Sequence, residues 1–101
     1  MDLGLRDKVA LVTGAGSGIG RAIALGLAAE GVCLVATDLR PESVAETATA
    51  AQAMGREALG LALDVTHYGQ AQEVVQQVLQ RYGRADVLVN CAGARRVKLF
   101  V

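Results

Sequence analysis

The chain has 101 residues, enough for one small domain with a core but near the low end for an open α/β sheet. Apolar residues make up 52% and there is one proline, which excludes a disordered or collagen-like chain. Ten basic and ten acidic residues cancel, so no net field exists for nucleic acid or an anionic membrane.

Met1-Asp2-Leu3-Gly4 lacks the basic and apolar regions of a signal peptide, and no apolar run reaches a membrane span; a cytoplasmic location is expected. Lys8 to Thr13 is a near-continuous apolar run, as in a parallel strand covered on both faces. It delivers the chain to Thr13-Gly14-Ala15-Gly16-Ser17-Gly18-Ile19-Gly20. The glycines Gly14, Gly16, Gly18 and Gly20 leave main-chain N–H groups open to an anion. The first N–H groups of the helix that follows have no intrahelical partner, and its dipole favours a pyrophosphate there. The spacing is T-G-x-x-x-G-x-G. The commoner G-x-G-x-x-G fails here, because its third glycine would fall on Ile19 or on Arg21.

Ile19, Ala22, Ile23, Gly26 and Leu27 recur at helical spacing and predict a helix with one buried stripe, closed by Gly31. Gly26 lies within the stripe, and a close approach to the sheet is the expected return for its poor helix propensity. Val32 to Thr37 is a second strand, ending at Asp38, eighteen residues beyond Gly20. That spacing suits the acid that accepts hydrogen bonds from an adenosine ribose in dinucleotide folds, and a carboxylate there favours NAD over NADP. Arg40 argues the other way, since a nearby arginine can pair with a 2′-phosphate. A turn or capping role is the plainer alternative for Asp38.

Pro41 suits the first position of a helix, with Glu42 in the first turn, a thin stripe of Val44, Ala48 and Ala51, and Gly55 as terminator. Leu59 to Val65 is a third strand, with Asp64-Val65 at its carboxyl end, where open α/β sheets bind ligands; Asp64 could equally cap the next helix. Ala71, Val74, Val75, Val78, Leu79 and Tyr82 mark an amphipathic helix closed by Gly83, with Gln72, Gln76, Gln77, Gln80 and Arg81 on its wet face. His67 reads as a surface residue. Asp86 to Cys91 is a fourth strand running into Ala92-Gly93. Cys33 and Cys91 lie in apolar runs without metal-ligand spacing and read as buried small hydrophobes, with no disulfide expected between them.

Thr13-Gly14-x-x-x-Gly18-x-Gly20, Asp38, Asp64-Val65 and Asn90-Cys91-Ala92-Gly93, in this order, resemble the short-chain dehydrogenase/reductase family over roughly residues 5 to 93. The last motif departs from the family's Asn-Asn-Ala-Gly at Cys91. The resemblance assigns cofactor contacts to Gly14, Ser17, Gly18, Ile19 and Gly20, to Asp38 and Leu39, to Asp64 and Val65, and to Asn90, Ala92 and Gly93. Asp64 would meet the adenine amino group, Asn90 would brace the strand ends, and Ser17, where NADP users often carry a basic residue, again favours NAD. The family's catalytic Tyr-x-x-x-Lys is not met by Tyr68 or Tyr82, which are followed four residues on by Gln72 and Asp86. No catalytic residue and no metal ligand is therefore assigned.

The expected fold is α/β: a Rossmann-like doubly wound parallel sheet, truncated to four strands in order 3-2-1-4 with three helices. Residues 1–93 form the NAD(P)-binding segment and 94–101 a divergent basic and apolar tail. Without Arg95, Arg96 and Lys98 of that tail, seven basic residues face ten acidic ones, a net −3. Strand four would then offer an open apolar edge, Val87-Leu88-Val89, for self-association or for pairing with a full-length relative. The expected function is the NAD-binding part of a short-chain oxidoreductase, without turnover as this chain; a non-catalytic dinucleotide-binding or interaction module is the alternative. A methyltransferase-type domain also places an acid after strand two, but the glycine turn and the Asn90 motif argue against it.

Overall fold

Five consecutive buried residues, Val9–Thr13, form β1, the strand from which the sheet is laid out in both directions. The computed structural model describes residues 4–91 and 98–100. β1 is followed by α1 (Gly18–Ala29), β2 (Cys33–Asp38), α2 (Pro41–Ala53), β3 (Ala58–Ala62), α3 (Tyr68–Tyr82), β4 (Val87–Asn90) and β5 (Lys98–Phe100). The sheet order is β3-β2-β1-β4-β5. The first four strands are parallel, with Val9 beside Cys33, Leu34 beside Ala58 and Ala10 beside Val87. This is the four-strand doubly wound order read from the sequence.

β5 is an addition to it. Lys98–Phe100 pairs antiparallel with β4, setting Leu88 opposite Phe100 and Asn90 opposite Lys98. The expectation of an open β4 edge is corrected: the tail's own backbone occupies it. Backbone donors and acceptors of a strand edge take the nearest extended partner, and the tail supplies one.

The strands alternate sides. Ala10, Val12, Leu34, Ala36, Val87 and Val89 face α1 and α2, whose small residues Ala24, Ala28, Ala48 and Ala51 let the helices lie close to the sheet. On the other face Val9, Leu11 and Val35 pack with Leu63 and with Val74 and Val78 of α3. Fully buried side chains such as Leu34, Val12 and Val35 each contribute about 1.5–3 kcal/mol.

Several local expectations shift. The buried stripe of α1 is Gly20, Ala24 and Ala28, while Ile19 is 66% exposed. A Cβ on Gly26 would meet nothing within 4 Å, so that glycine makes no close approach. The close approach is at Gly20, where a Cβ would lie 1.8 Å from the Gly14 carbonyl oxygen. β3 ends at Ala62, earlier than the apolar run, although Leu63 N–H still donates to Asp38 O at 2.8 Å. α3 buries Val74 and Val78 and leaves Val75 and Leu79 exposed, because a single sheet face accepts only a narrow stripe. Gly31, Gly55 and Gly83 all follow helices with positive φ, as their positions suggested.

Candidate dinucleotide site

The carboxyl ends of the parallel strands converge on one cavity of about 590 Å³. From the β1–α1 turn come Gly14, Ser17, Ile19 and Gly20; from the end of β2, Asp38 and Leu39; from beyond β3, Leu63, Asp64, Val65 and Thr66; from beyond β4, Cys91. Such a crevice, where the strand order reverses around β1, is the general ligand position of open α/β sheets.

The turn is built for close packing. Gly14 and Gly18 take φ of 65° and 57°, left-handed values that a side chain disfavours. Gly16 has a steric reason instead: a Cβ there would lie 2.7 Å from Asp38 Oδ2 and 2.8 Å from Ser43 Cβ. Ser17 is the N-cap of α1, yet its side chain makes no capping bond and the first turn holds no acid, so the positive end of the helix is not neutralised locally. The turn is tied to β2 by Ala15 N–H donating to Thr37 O at 2.9 Å.

Asp38 faces this turn. Its Oδ2 accepts from Gly16 N–H at 2.8 Å and its Oδ1 from Leu39 N–H at 2.7 Å. Three of the exposed large apolar side chains, Ile19, Leu39 and Val65, line the same cavity, at 66%, 65% and 46% exposure. Apolar area left exposed in a concave place marks ligand contact better than the same area scattered over a surface.

Asp64 does not cap α3, whose N-cap His67 receives no side-chain capping bond; it closes a turn just before the helix instead. Its Oδ1 accepts from Thr66 N–H at 2.9 Å and from Thr66 Oγ1 at 2.6 Å, while its Oδ2 lies 3.5 Å from His67 Nε2. The Thr66 hydrogen bonds, with some help from His67, hold the Asp64 carboxyl below the ordinary value of 3.8. Asn90 sits outside the cavity lining. Its Oδ1 accepts from Thr13 Oγ1 at 2.7 Å, and Cys91 N–H in turn donates to Thr13 Oγ1 at 3.2 Å, so the ends of β1 and β4 are braced together. Burial pushes the Cys91 thiol up, and both Cys33 and Cys91 are free and half-buried. Ala92 and Gly93 lie outside the described residues.

A family model for short chain dehydrogenases matches residues 8–101. The chain belongs to that family. It is 43% identical, over 96% of its length, to the 3-oxoacyl-[acyl-carrier-protein] reductase of Thermotoga maritima, and covers 39% of that protein. The solved L-sorbose reductase of Gluconobacter frateurii, complexed with NADPH and L-sorbose, superposes with a TM-score of 0.87 at 40% identity, covering 93% of this chain and 36% of that one. A short chain dehydrogenase/reductase of Burkholderia phymatum in complex with NAD gives 0.80 at 37% identity, over 83% and 30%. The chain thus spans less than two-fifths of these relatives, and it is an amino-terminal portion of the short-chain dehydrogenase fold.

Two hydrogen-bonding contributors to the short-chain dehydrogenase site escaped the sequence reading. Thr66 satisfies Asp64, and Thr47, buried in α2, donates to Ala15 O at 2.8 Å. The Thr two residues after Asp64 is a recognisable Asx-type pattern. Nothing in the spacing of Thr47 points to a turn 32 residues earlier. Among the described residues no group of three His, Cys, Asp or Glu could hold a metal, and no helix is long and apolar enough to cross a membrane.

Proposed function

We propose that this chain binds NAD in the cavity at the strand ends, as the cofactor-holding part of an oxidoreductase acting on an alcohol or ketone. One observation carries the reading: a glycine turn, an uncapped helix start and three exposed apolar side chains all border one cavity with Asp38. The residues fit such a group. Gly14, Gly18 and Gly20 place no Cβ between the turn's N–H groups and a pyrophosphate, and Ser17 and Ile19 would border it at the helix start. Leu39 and Val65 offer apolar flanks for an adenine, with the Asp64 Oδ2 edge able to accept from an amino group. Ala92 and Gly93 would let the cofactor ribose lie on the backbone, with Asn90 bracing the strand ends beside them.

A bound nicotinamide dinucleotide supplies the hydride in such chemistry. The residues of this chain bind and orient; proton transfer and substrate placement are assigned to none of them. Asp38 accepts from a free 2′-hydroxyl and repels a 2′-phosphate, which supports NAD over NADP. Residues 1–93 form the binding segment, and Lys98–Phe100 pair with the sheet edge. Two free half-buried thiols support a reducing, cytoplasmic compartment.

A second reading, a self-contained dinucleotide-binding module without turnover, is favoured by β5, which covers the β4 edge from within the chain. The deciding experiment is a two-dimensional amide NMR spectrum of the chain with and without NAD. Shifts concentrated at Gly18, Leu39 and Val65 are expected. A dispersed spectrum indifferent to NAD would sink both readings, and oxidation of any alcohol by the chain alone would sink the second.

A further inference from the structure

We propose that Thr47 is a positioning residue that sets how strictly this site rejects a 2′-phosphate, acting through the Ala15–Gly16 peptide. The inference rests on the dinucleotide reading above.

Thr47 is wholly buried in α2 and is absent from the cavity lining. A helical threonine hydroxyl ordinarily bonds back to the carbonyl four residues earlier, here Ser43 O at 3.2 Å. Its shorter bond leaves the helix for Ala15 O, at 2.8 Å. The hydroxyl oxygen meanwhile accepts from Arg21 Nε at 3.0 Å, and Arg21 Nη2 continues to Ser43 O at 3.2 Å and Glu46 Oε2 at 3.1 Å. One guanidinium from α1 therefore orients the hydroxyl on α2 toward the glycine turn.

The carbonyl so held belongs to the peptide whose N–H, on Gly16, donates to Asp38 Oδ2. A peptide is planar, so fixing its oxygen fixes the direction of its N–H. Asp38 is consequently gripped at both oxygens, by Gly16 and by Leu39. A free aspartate could swing away from an incoming phosphate. A gripped one stays and repels, which turns a preference into discrimination by exclusion.

The test compares Thr47→Val, which keeps shape and burial, with Thr47→Ser, which keeps the hydroxyl. Dissociation constants for NAD and NADP are measured by calorimetry, and amide exchange at Gly16 and at core Val35 by NMR. In Thr47→Val the NAD-over-NADP preference is expected to narrow about fivefold, the worth of one hydrogen bond. Gly16 should exchange faster with Val35 unchanged, and Thr47→Ser should keep the wild-type preference. An unchanged preference in Thr47→Val overturns the proposal. So does an equal loss for both dinucleotides with Gly16 and Val35 loosening together, the mark of a merely structural residue.

Should Thr47→Val not fold, Arg21→Leu on a one-third exposed side chain carries the test. Loss of its positive charge alone would weaken NADP and widen the preference. Narrowing supports the proposal, and widening or no change overturns it. A wild-type chain that binds neither dinucleotide overturns the functional reading and this inference with it; intact NAD binding with an unaltered preference removes only the inference.

Discussion

Two glycines in one helix show how differently the same residue type is used. Gly20 has the Gly14 carbonyl where its Cβ would be, and backbone cannot step aside as a side chain could. Gly20→Ala is expected to cost about 3 kcal/mol or more through overpacking, read as a lower urea midpoint, or to prevent folding. Gly26, exposed and facing open space in the middle of α1, should gain about 0.5–1 kcal/mol as alanine, read as a higher melting temperature. From the sequence the roles were assigned in reverse for Gly26, because helical periodicity tells which positions share a side but not how near the opposing backbone comes. The distance to Gly20 singled out Asp38 in the sequence, and the structure puts it on the cavity lining. Its grip on the turn was not legible, since a hydrogen bond to Gly16 depends on the carboxylate's rotamer and not on spacing.

At the scale of elements, the strand entries and exits are fixed by polar side chains rather than by the strands themselves. Asp86, just before β4, accepts from Val9 N–H at 2.9 Å through Oδ2 and from Arg84 Nη2 at 2.6 Å through Oδ1. Arg84 first, then the Val9 N–H, holds this carboxyl below the ordinary value of 3.8, as Thr66 does for Asp64. A depressed carboxylate contributes stability that is complete above the unfolded-chain value and lost as pH falls through the folded one. Stability is therefore expected to drop below about pH 4, and Asp86→Asn should flatten that acid limb in urea midpoints taken between pH 7 and pH 3. An acid limb unchanged in the variant would show that Asp86 does not take part. Strand and helix identities were legible because apolar runs and helical spacing rarely mislead when glycines bracket them. The narrow stripe of α3 was not: Val75 and Leu79 fit the periodicity, but only one curved sheet face lies beneath the helix to cover Val74 and Val78.

For the molecule as a whole, the two faces of the sheet are unlike. Two helices cover one face; among the described residues α3 alone covers the other, and Leu88 and Leu61 there stay half-buried. With net charge near zero, the edges decide whether copies of the chain pair with one another. Removing residues 98–101 strips β5 from β4, and increased light scattering relative to the full chain is expected; equal scattering would show that β5 protects nothing. This strand was not legible in advance, since three residues carry no periodicity from which a strand or its register could be read.

The bonds that join β1 to β4 also impose an order on events. Val9 meets Asp86, and Thr13 meets Asn90, each across 77 positions, whereas β1 and β2 are separated by a single helix. During synthesis β1 can pair with β2 early, while its other edge must wait until nearly the whole segment has emerged. Closing so long a loop costs little more than closing one half its size, by about 0.6 kcal/mol, so the delay is one of time more than of free energy. The central strand thus gains its second neighbour only after β2 and β3 can be in place, and the cavity at its end is complete only once β4 has docked.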